Sequence, residues 1–131
     1  MQMSGKFLID TNIVISLFAG DSKVQRQIRI AKEVFLPSVV LGELYFGAYK
    51  SGRVKKNLER IDEFAVSNSV IVCDTDTAKE YGDIKNALRI KGRPIPENDI
   101  WIAAIARQYG LVLATRDPHF NEIDNLTAVR W

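Results

Sequence analysis

Four short apolar runs recur along the chain with no alternation of polar and apolar residues: Phe7-Leu8-Ile9, Val34-Phe35-Leu36, Val70-Ile71-Val72 and Leu111-Val112-Leu113-Ala114. A strand with one face in water alternates, whereas a strand covered on both faces does not. The runs therefore predict strands buried inside a sandwich, each soon followed by the Asp, Pro, Ser or Thr of a strand end. Leu126 to Val129 is a weaker fifth candidate.

Segments with helical spacing separate these runs. Ile13, Leu17 and Phe18 form one apolar stripe after Asn12. Leu41, Leu44, Tyr45 and Ala48 form another within Ser38 to Ser51, with Gly52 as its stop. Val54, Leu58, Ile61 and Ala65 mark a helix that ends before Asn68. Asp76 or Thr77 is expected to cap the next helix, with Glu80 as the reciprocal acid of a capping box from Thr77. Pro96 and Glu97 open a last helix that runs to Tyr109 and stops at Gly110. Strands alternating with helices pair in parallel through crossovers, so the expected architecture is α/β, a three-layer sandwich with a central parallel sheet. No repeat, linker or low-complexity tract interrupts it, and residues 1–131 read as one domain.

Composition narrows the function classes. Hydrophobic residues make up 47% and charged residues 26%, the balance of a soluble globular chain. The longest apolar run, Ile100 to Ala106, is far shorter than the roughly 20 residues of a membrane helix. The start, Met1-Gln2-Met3-Ser4-Gly5-Lys6, is too short and polar for a signal peptide. A single cysteine, Cys73, permits no internal disulfide and suits a reducing cytoplasm. Cys73 itself reads as a small buried apolar residue.

In open parallel sheets ligands bind beyond the carboxyl ends of the strands, so the residues directly after each run are the candidates for a site. Asp10 follows the first run, in Asp10-Thr11-Asn12, and Asp117 follows the fourth, in Thr115-Arg116-Asp117. Glu43 lies about one and a half turns into the helix after the second run, close enough to point back at the same rim. Asp99 sits in the first turn of the helix beginning near Pro96, a crossover able to deliver it there. Four carboxylates in one pocket repel one another unless cations share the site. Oxygen ligands select hard ions, Mg²⁺ or Mn²⁺, and one His with one Cys leaves zinc almost no ligands. Such a pocket suits the hydrolysis of phosphodiesters, where water must be activated and a leaving oxygen stabilised. The net charge is +2, so with these four acids set aside the remainder of the molecule carries +6, which suits a polyanionic substrate.

Each acid also has a structural reading. Asp10 or Asn12 would cap the first helix, Asp99 suits a helix dipole, and Asp117 would serve a turn before Pro118. Glu43 is harder to explain this way, because Val39, Val40, Leu41 and Leu44 surround it on its helix.

Taken in order, these motifs resemble the PIN-domain family. Asp10-Thr11-Asn12 resembles the family's opening, and Glu43 within Val40-Leu41-Gly42-Glu43-Leu44-Tyr45-Phe46-Gly47 resembles its second acidic position. Asn98-Asp99-Ile100-Trp101-Ile102-Ala103-Ala104 resembles the third. Thr115-Arg116-Asp117-Pro118-His119-Phe120 resembles the fourth, where a hydroxyl supports the metal site and an aromatic ring packs nearby. The match spans residues 6 to 130 and is similar to the VapC toxins. It implies a Mg²⁺-dependent endoribonuclease aimed at transfer or ribosomal RNA, blocked by a VapB-type antitoxin and usually a homodimer. It implies Asp10, Glu43, Asp99 and Asp117 as catalytic metal ligands, direct or through water, with Thr11, Asn12, Asn98 and Thr115 orienting them. Hydrolysis by water would leave a 5′-phosphate and a 3′-hydroxyl.

Other residues draw attention for different reasons. His119, the only histidine, reads as a surface turn residue beside the rim. Asp74 and Asp76 rival the four acids by position, yet their Asp-Thr-Asp-Thr setting reads as capping. Basic residues cluster at Lys50, Arg53, Lys55, Lys56 and Arg60, and again at Lys85, Arg89, Lys91 and Arg93. Lys91, Arg93 and Arg116 are the candidate phosphate contacts. Tyr45, Phe46 and Tyr49 crowd one helix, where core packing takes some and a dimer or antitoxin groove the remainder.

Rival classes fit less well. A haloacid-dehalogenase phosphatase needs a second aspartate where Asn12 stands. A receiver domain needs an acidic neighbour for Asp10 and a lysine after the last strand, and this chain has neither. No glycine-rich phosphate loop is present for a nucleotide-binding module. A catalytically silent PIN fold that only binds RNA or protein would be told apart by its metal affinity.

Overall fold

The computed structural model describes residues 5–131, so the first four residues of the polar start, Met1 to Ser4, lie outside the described residues. The elements run in the order β1 (Lys6–Ile9), α1 (Thr11–Phe18), α2 (Ser22–Ile30), β2 (Glu33–Pro37), α3 (Ser38–Tyr49), α4 (Val54–Ser67) and β3 (Ser69–Ile71). Then follow α5 (Thr75–Lys91), α6 (Glu97–Tyr109), β4 (Val112–Ala114), a short 3-10 turn (Pro118–Glu122) and β5 (Ala128–Val129).

All pairings are parallel and the strand order is β3-β2-β1-β4-β5. The chain therefore moves outward from β1 in one direction through β2 and β3, then returns past β1 to β4 and β5. Right-handed crossovers put α1 to α4 on one face and α5 with α6 on the other. The reversal point lies between β1 and β4, where Leu8 pairs with Leu113 and Ile9 with Ala114. All four side chains are fully buried. At such a point the connections leaving neighbouring strands part and open a crevice at their carboxyl ends.

The unbroken apolar pattern holds for β1 and β4 but misreads β3. Val70 and Val72 are exposed, because β3 is an edge strand of three residues and Val72 lies beyond its end. Cys73 is exposed as well, which corrects its reading as a buried residue. Residues 72–74 leave the sheet in an extended course and start α5 beside the end of α6. There Asp74 accepts a hydrogen bond from Gln108 Nε2 at 2.8 Å. Helix α5 then climbs and α6 descends beside it, which brings the start of α6 to the rim that carries the carboxyl ends of the strands.

The cap of α5 also differs from the sequence expectation. Asp74, two residues earlier, is the N-cap: its Oδ1 accepts from Thr77 N, and Thr77 Oγ1 accepts from Asp74 N, both at 3.0 Å. Glu80 instead reaches Arg107 of α6 at 3.0 Å. Helix α2 carries no sequence expectation, since Val24 and Ile28 are its main apolar positions and only Val24 is buried. Its signal was the cap, as Asp21 Oδ1 accepts from Lys23 N and Val24 N. No helix among the described residues is long and apolar enough to cross a membrane.

Candidate active site

Asp10 ends β1. Its backbone N donates to Ala114 O at 3.1 Å, which fixes the first strand against the fourth at the crevice. The carboxylate is almost wholly buried, yet every donor it needs is at hand. Thr115 Oγ1 donates to Oδ2 at 2.7 Å, Asn12 Nδ2 donates to the same oxygen at 3.0 Å, and Thr11 N donates to Oδ1 at 2.8 Å. The last bond makes Asp10 the N-cap of α1, so its structural and its site roles coexist. Burial is the main cause of a raised Asp10 pKa and the charge of Asp117 adds to it, while the three hydrogen bonds pull it down.

Thr115 and Asn12 form the joint between the two strand ends. Thr115 Oγ1 also accepts from Asp117 N at 3.0 Å, and Asn12 Oδ1 accepts from Arg116 N at 3.0 Å. One hydroxyl thus sets the position of two acids from distant parts of the chain. Thr115→Val keeps the shape and removes both bonds, leaving a nearly buried carboxylate without its shortest donor. A stability loss of about 1–3 kcal/mol is expected by urea denaturation, with Thr115→Ser restoring most of it. A neutral Thr115→Val variant would mean that Asp10 is wetter than its surroundings imply.

Helix α3 leaves β2 at Pro37, and Glu43 turns back toward the crevice, where Thr11 Oγ1 donates to its Oε1 at 3.0 Å. Burial raises the Glu43 pKa, and the charge of Asp10 contributes. Asp99 lies in the first turn of α6 and is nearly buried. Burial, opposed by a hydrogen bond from His119 and reinforced by the charges of Asp10 and Asp117, lifts its carboxyl from 3.8 to about 6. Asp117 caps the 3-10 turn, accepting from His119 N at 2.9 Å. The four acids therefore converge on one rim, linked by the mutual repulsion of Asp10 with Glu43, Asp99 and Asp117. Carboxylate oxygens gathered on one rim in this way, with burial and neighbouring charge pushing Asp10, Glu43 and Asp99 toward protonation, are a chemical fit for a hard divalent ion.

Some sequence expectations change here. His119 is half exposed, as a turn residue should be, but its ring is turned inward. Nδ1 lies 3.2 Å from Asp99 Oδ2 and 3.1 Å from Asp117 Oδ1. The signal available in the sequence was its place two residues after Asp117. Asn98 is exposed, and among the described residues no hydrogen bond joins its side chain to the acids. One helical step from Asp99 turns it about 100° away. Asp74 and Asp76 stand at the opposite rim, the first engaged as a cap and the second in an exposed pair with Lys79 at 3.9 Å.

The candidate phosphate contacts are all engaged within the chain. Lys91 Nζ reaches Glu122 O at 2.7 Å and Asp124 Oδ1 at 3.1 Å, and Arg93 lies 4.0 Å from Glu122. Both pairs are exposed, where such bonds are weak and readily exchanged. Arg116 is held more firmly, donating to Trp131 O, Ser16 Oγ and Asp21 Oδ2 at 2.5, 3.1 and 2.9 Å. It ties the chain after β4 to the end of α1 and the cap of α2.

Beside Glu43 a groove runs between α1, α3 and α4, lined by Ile15, Phe18, Leu44, Ala48 and Ile61, with Arg60 at its edge. Ile15 is exposed there, and Phe46 and Tyr49 project from α3 into solvent. Tyr45 instead packs against the core and donates to Asp62 Oδ1 at 2.5 Å.

Comparison with known proteins fits this geometry. A family profile described as PIN domain matches residues 7–126. Ribonuclease VapC2 of Haemophilus influenzae is 33% identical over 127 residues, covering 95% of each chain. The tRNA(fMet)-specific endonuclease VapC of Shigella flexneri is 32% identical over 129 residues, covering 96% of this chain and 98% of the relative. Among solved structures, DNA-bound VapBC from Salmonella typhimurium superposes with a TM-score of 0.90 at 29% identity, over 96% of this chain and 98% of that one. VapBC2 from Rickettsia felis, bound to a DNA fragment from its promoter, gives a TM-score of 0.90 at 25% identity with the same coverage.

Proposed function

The chain belongs to the PIN-domain family, and from that premise we propose that it is a metal-dependent endoribonuclease acting as the toxin of a VapBC-type toxin–antitoxin system. The observation that carries this reading is the convergence of Asp10, Glu43, Asp99 and Asp117 at the β1–β4 crevice. Burial and mutual charge raise the first three toward protonation.

Asp10, Asp99 and Asp117 would hold Mg²⁺, or Mn²⁺ in its place, with Glu43 reaching the site from α3 directly or through water. A bound divalent ion supplies neutralisation of the phosphate charge and a lowered pKa for water at the site. The chain's own residues do the positioning. Thr115 and Asn12 keep Asp10 aimed by holding its Oδ2, and Thr11 keeps Glu43 turned inward. Carboxylates fixed in this way accept the proton released as water attacks phosphorus in line. The bond from phosphorus to the 3′-oxygen breaks, and that oxygen leaves as a hydroxyl by taking up a proton from a protonated carboxyl of the site or from water. The products are a 5′-phosphate and a 3′-hydroxyl.

The substrate class is structured RNA, transfer or ribosomal, a reading supported by the tRNA(fMet)-specific relatives. The partner is a VapB-type antitoxin, supported by the VapBC complexes, and the groove beside Glu43 with exposed Ile15 gives it an apolar seat. A homodimer would use part of the remaining aromatic surface of α3. The whole chain of 131 residues would work as one nuclease domain in the cytoplasm, where its RNA substrates lie.

The test is cleavage of total cellular RNA by the purified chain with Mg²⁺, with Mn²⁺ and with chelator, and with Asp10→Asn as control. Discrete fragments that need both the ion and Asp10, bearing 5′-phosphates, are expected. Fragments ending in 2′,3′-cyclic phosphate would overturn attack by water and make the RNA's own 2′-hydroxyl the nucleophile.

A further inference from the structure

We propose that His119 is itself a ligand, through Nδ1, of the divalent ion shared by Asp99 and Asp117, and that this nitrogen biases the site toward Mn²⁺ over Mg²⁺. The inference rests on the nuclease reading above and goes beyond its all-oxygen ligand set. Nothing in the four-acid pattern of the sequence calls for a histidine.

Geometry carries the argument. One oxygen each from Asp99 and Asp117 and one ring nitrogen of His119 lie within 4.8 Å of one another. Ligands about 2.1 Å from an octahedral ion stand about 3.0 Å apart at adjacent vertices. The separations of Nδ1 from Asp99 Oδ2, 3.2 Å, and from Asp117 Oδ1, 3.1 Å, match two such edges. An ion on the face of this triangle would meet all three atoms, at the place where Nδ1 and the two carboxylates now approach one another. The Nε2 side of the ring is free to carry the proton, since the side chain is half exposed.

The backbone fixes the ring in this place. His119 follows Pro118 at the start of the 3-10 turn, its N–H is held by Asp117 Oδ1 at 2.9 Å, and Phe120 next to it is buried. The turn packs on α6, the helix that carries Asp99. Two acids and an imidazole thus come from two elements locked together by the core. Imidazole suits first-row transition ions, whereas Mg²⁺ demands oxygen and gives up water reluctantly. A neutral nitrogen also adds a ligand without adding to the repulsion among the acids.

The sequence contains one histidine, which makes the assignment direct. In untagged protein loaded with Mn²⁺, electron spin-echo spectroscopy should show coupling to a directly bound imidazole ¹⁴N, and any such coupling can come only from His119. His119→Gln, a change at a half-exposed position, should abolish the coupling. It should also weaken Mn²⁺ binding by about tenfold or more in calorimetry, with Mg²⁺ binding changed much less. Mn²⁺ bound without nitrogen coupling, and with the same Kd in His119→Gln, would overturn the ligand assignment while leaving the nuclease reading intact. Absence of Mn²⁺ and Mg²⁺ binding to the wild-type chain would overturn both.

Discussion

Replacing Asp99 by asparagine is expected to reduce RNA cleavage by about a hundredfold or more, while making the metal-free protein more stable at neutral pH. The second half of this result separates a functional acid from a structural one. In the fold the Asp99 carboxyl is lifted from 3.8 to about 6, chiefly by burial, with the charges of Asp10 and Asp117 adding to it and His119 opposing. Between pH 3.8 and about 6 the folded chain therefore holds a proton at Asp99 that the unfolded chain has already released. Stability falls as pH rises through this window, and below its lower edge both states are protonated and the penalty is absent. A tenfold change in proton affinity corresponds to about 1.4 kcal/mol, so the penalty above the window is on the order of 1–3 kcal/mol. Urea denaturation in chelator should show Asp99→Asn ahead of the wild type by that amount at pH 7 and level with it near pH 4. Added Mg²⁺ or Mn²⁺ should reverse the order, because only the wild type gains the full binding energy. A variant that cleaves normally, or is less stable in chelator at pH 7, would reduce Asp99 to a helix-start residue.

Phe120→Ala is expected to have the largest effect on folding, a loss of about 3–5 kcal/mol in urea. Phe120 is the bulkiest of the fully buried side chains, and it anchors the 3-10 turn whose cap is Asp117. For a domain with a total stability of about 5–15 kcal/mol this brings the chain near its limit. The same change should weaken Mn²⁺ affinity at temperatures where the variant is still folded. The turn would no longer press Asp117 and His119 toward Asp99. Phe120→Leu should recover most of the stability, since it fills the greater part of the space. A loss below about 1 kcal/mol would mean that the turn is held by its polar bonds instead of its core contact.

Stability and chemistry share residues throughout this site. Asp10 caps α1 through Oδ1 while its Oδ2 is held by Thr115 and Asn12, and Asp117 caps the 3-10 turn through Oδ1, the oxygen that also faces the His119 ring. Thr115 is buried, but its hydroxyl supplies one bond to each acid, and no buried side-chain polar atom among the described residues lacks a partner. The carboxylates at this rim are therefore held in place before any ion arrives. For the proposed metal site that arrangement would lower the entropic cost of binding an ion, with the raised Asp99 pKa as its counterpart in the metal-free chain.

The parallel α/β architecture is legible in the sequence, because continuous apolar runs such as Phe7-Leu8-Ile9 and Leu111-Val112-Leu113-Ala114 can be satisfied only by burial on two faces. The sequence also placed Asp10 and Asp117 on one rim of the sheet, since each comes just after a buried strand and strand direction is the same for all. It left β3 misread. Val70-Ile71-Val72 is as apolar as the central runs, and only the strand order shows that it lies at an edge, with Val72 and Cys73 in solvent. It missed α2, whose sparse apolar stripe does little burying of its own, and whose place depends on Asp21 meeting Arg116 from the far end of the chain. Tertiary structure alone decided that Asp74 and Asp76 sit at the opposite rim. The start of α5 lies beside the end of α6, where Gln108 meets Asp74, and periodicity carries no information about that placement. Tertiary structure also decided the direction of the His119 ring. Contact between residues 20 positions apart depends on how the 3-10 turn packs on α6, and that packing is fixed by Phe120 and the core beneath it.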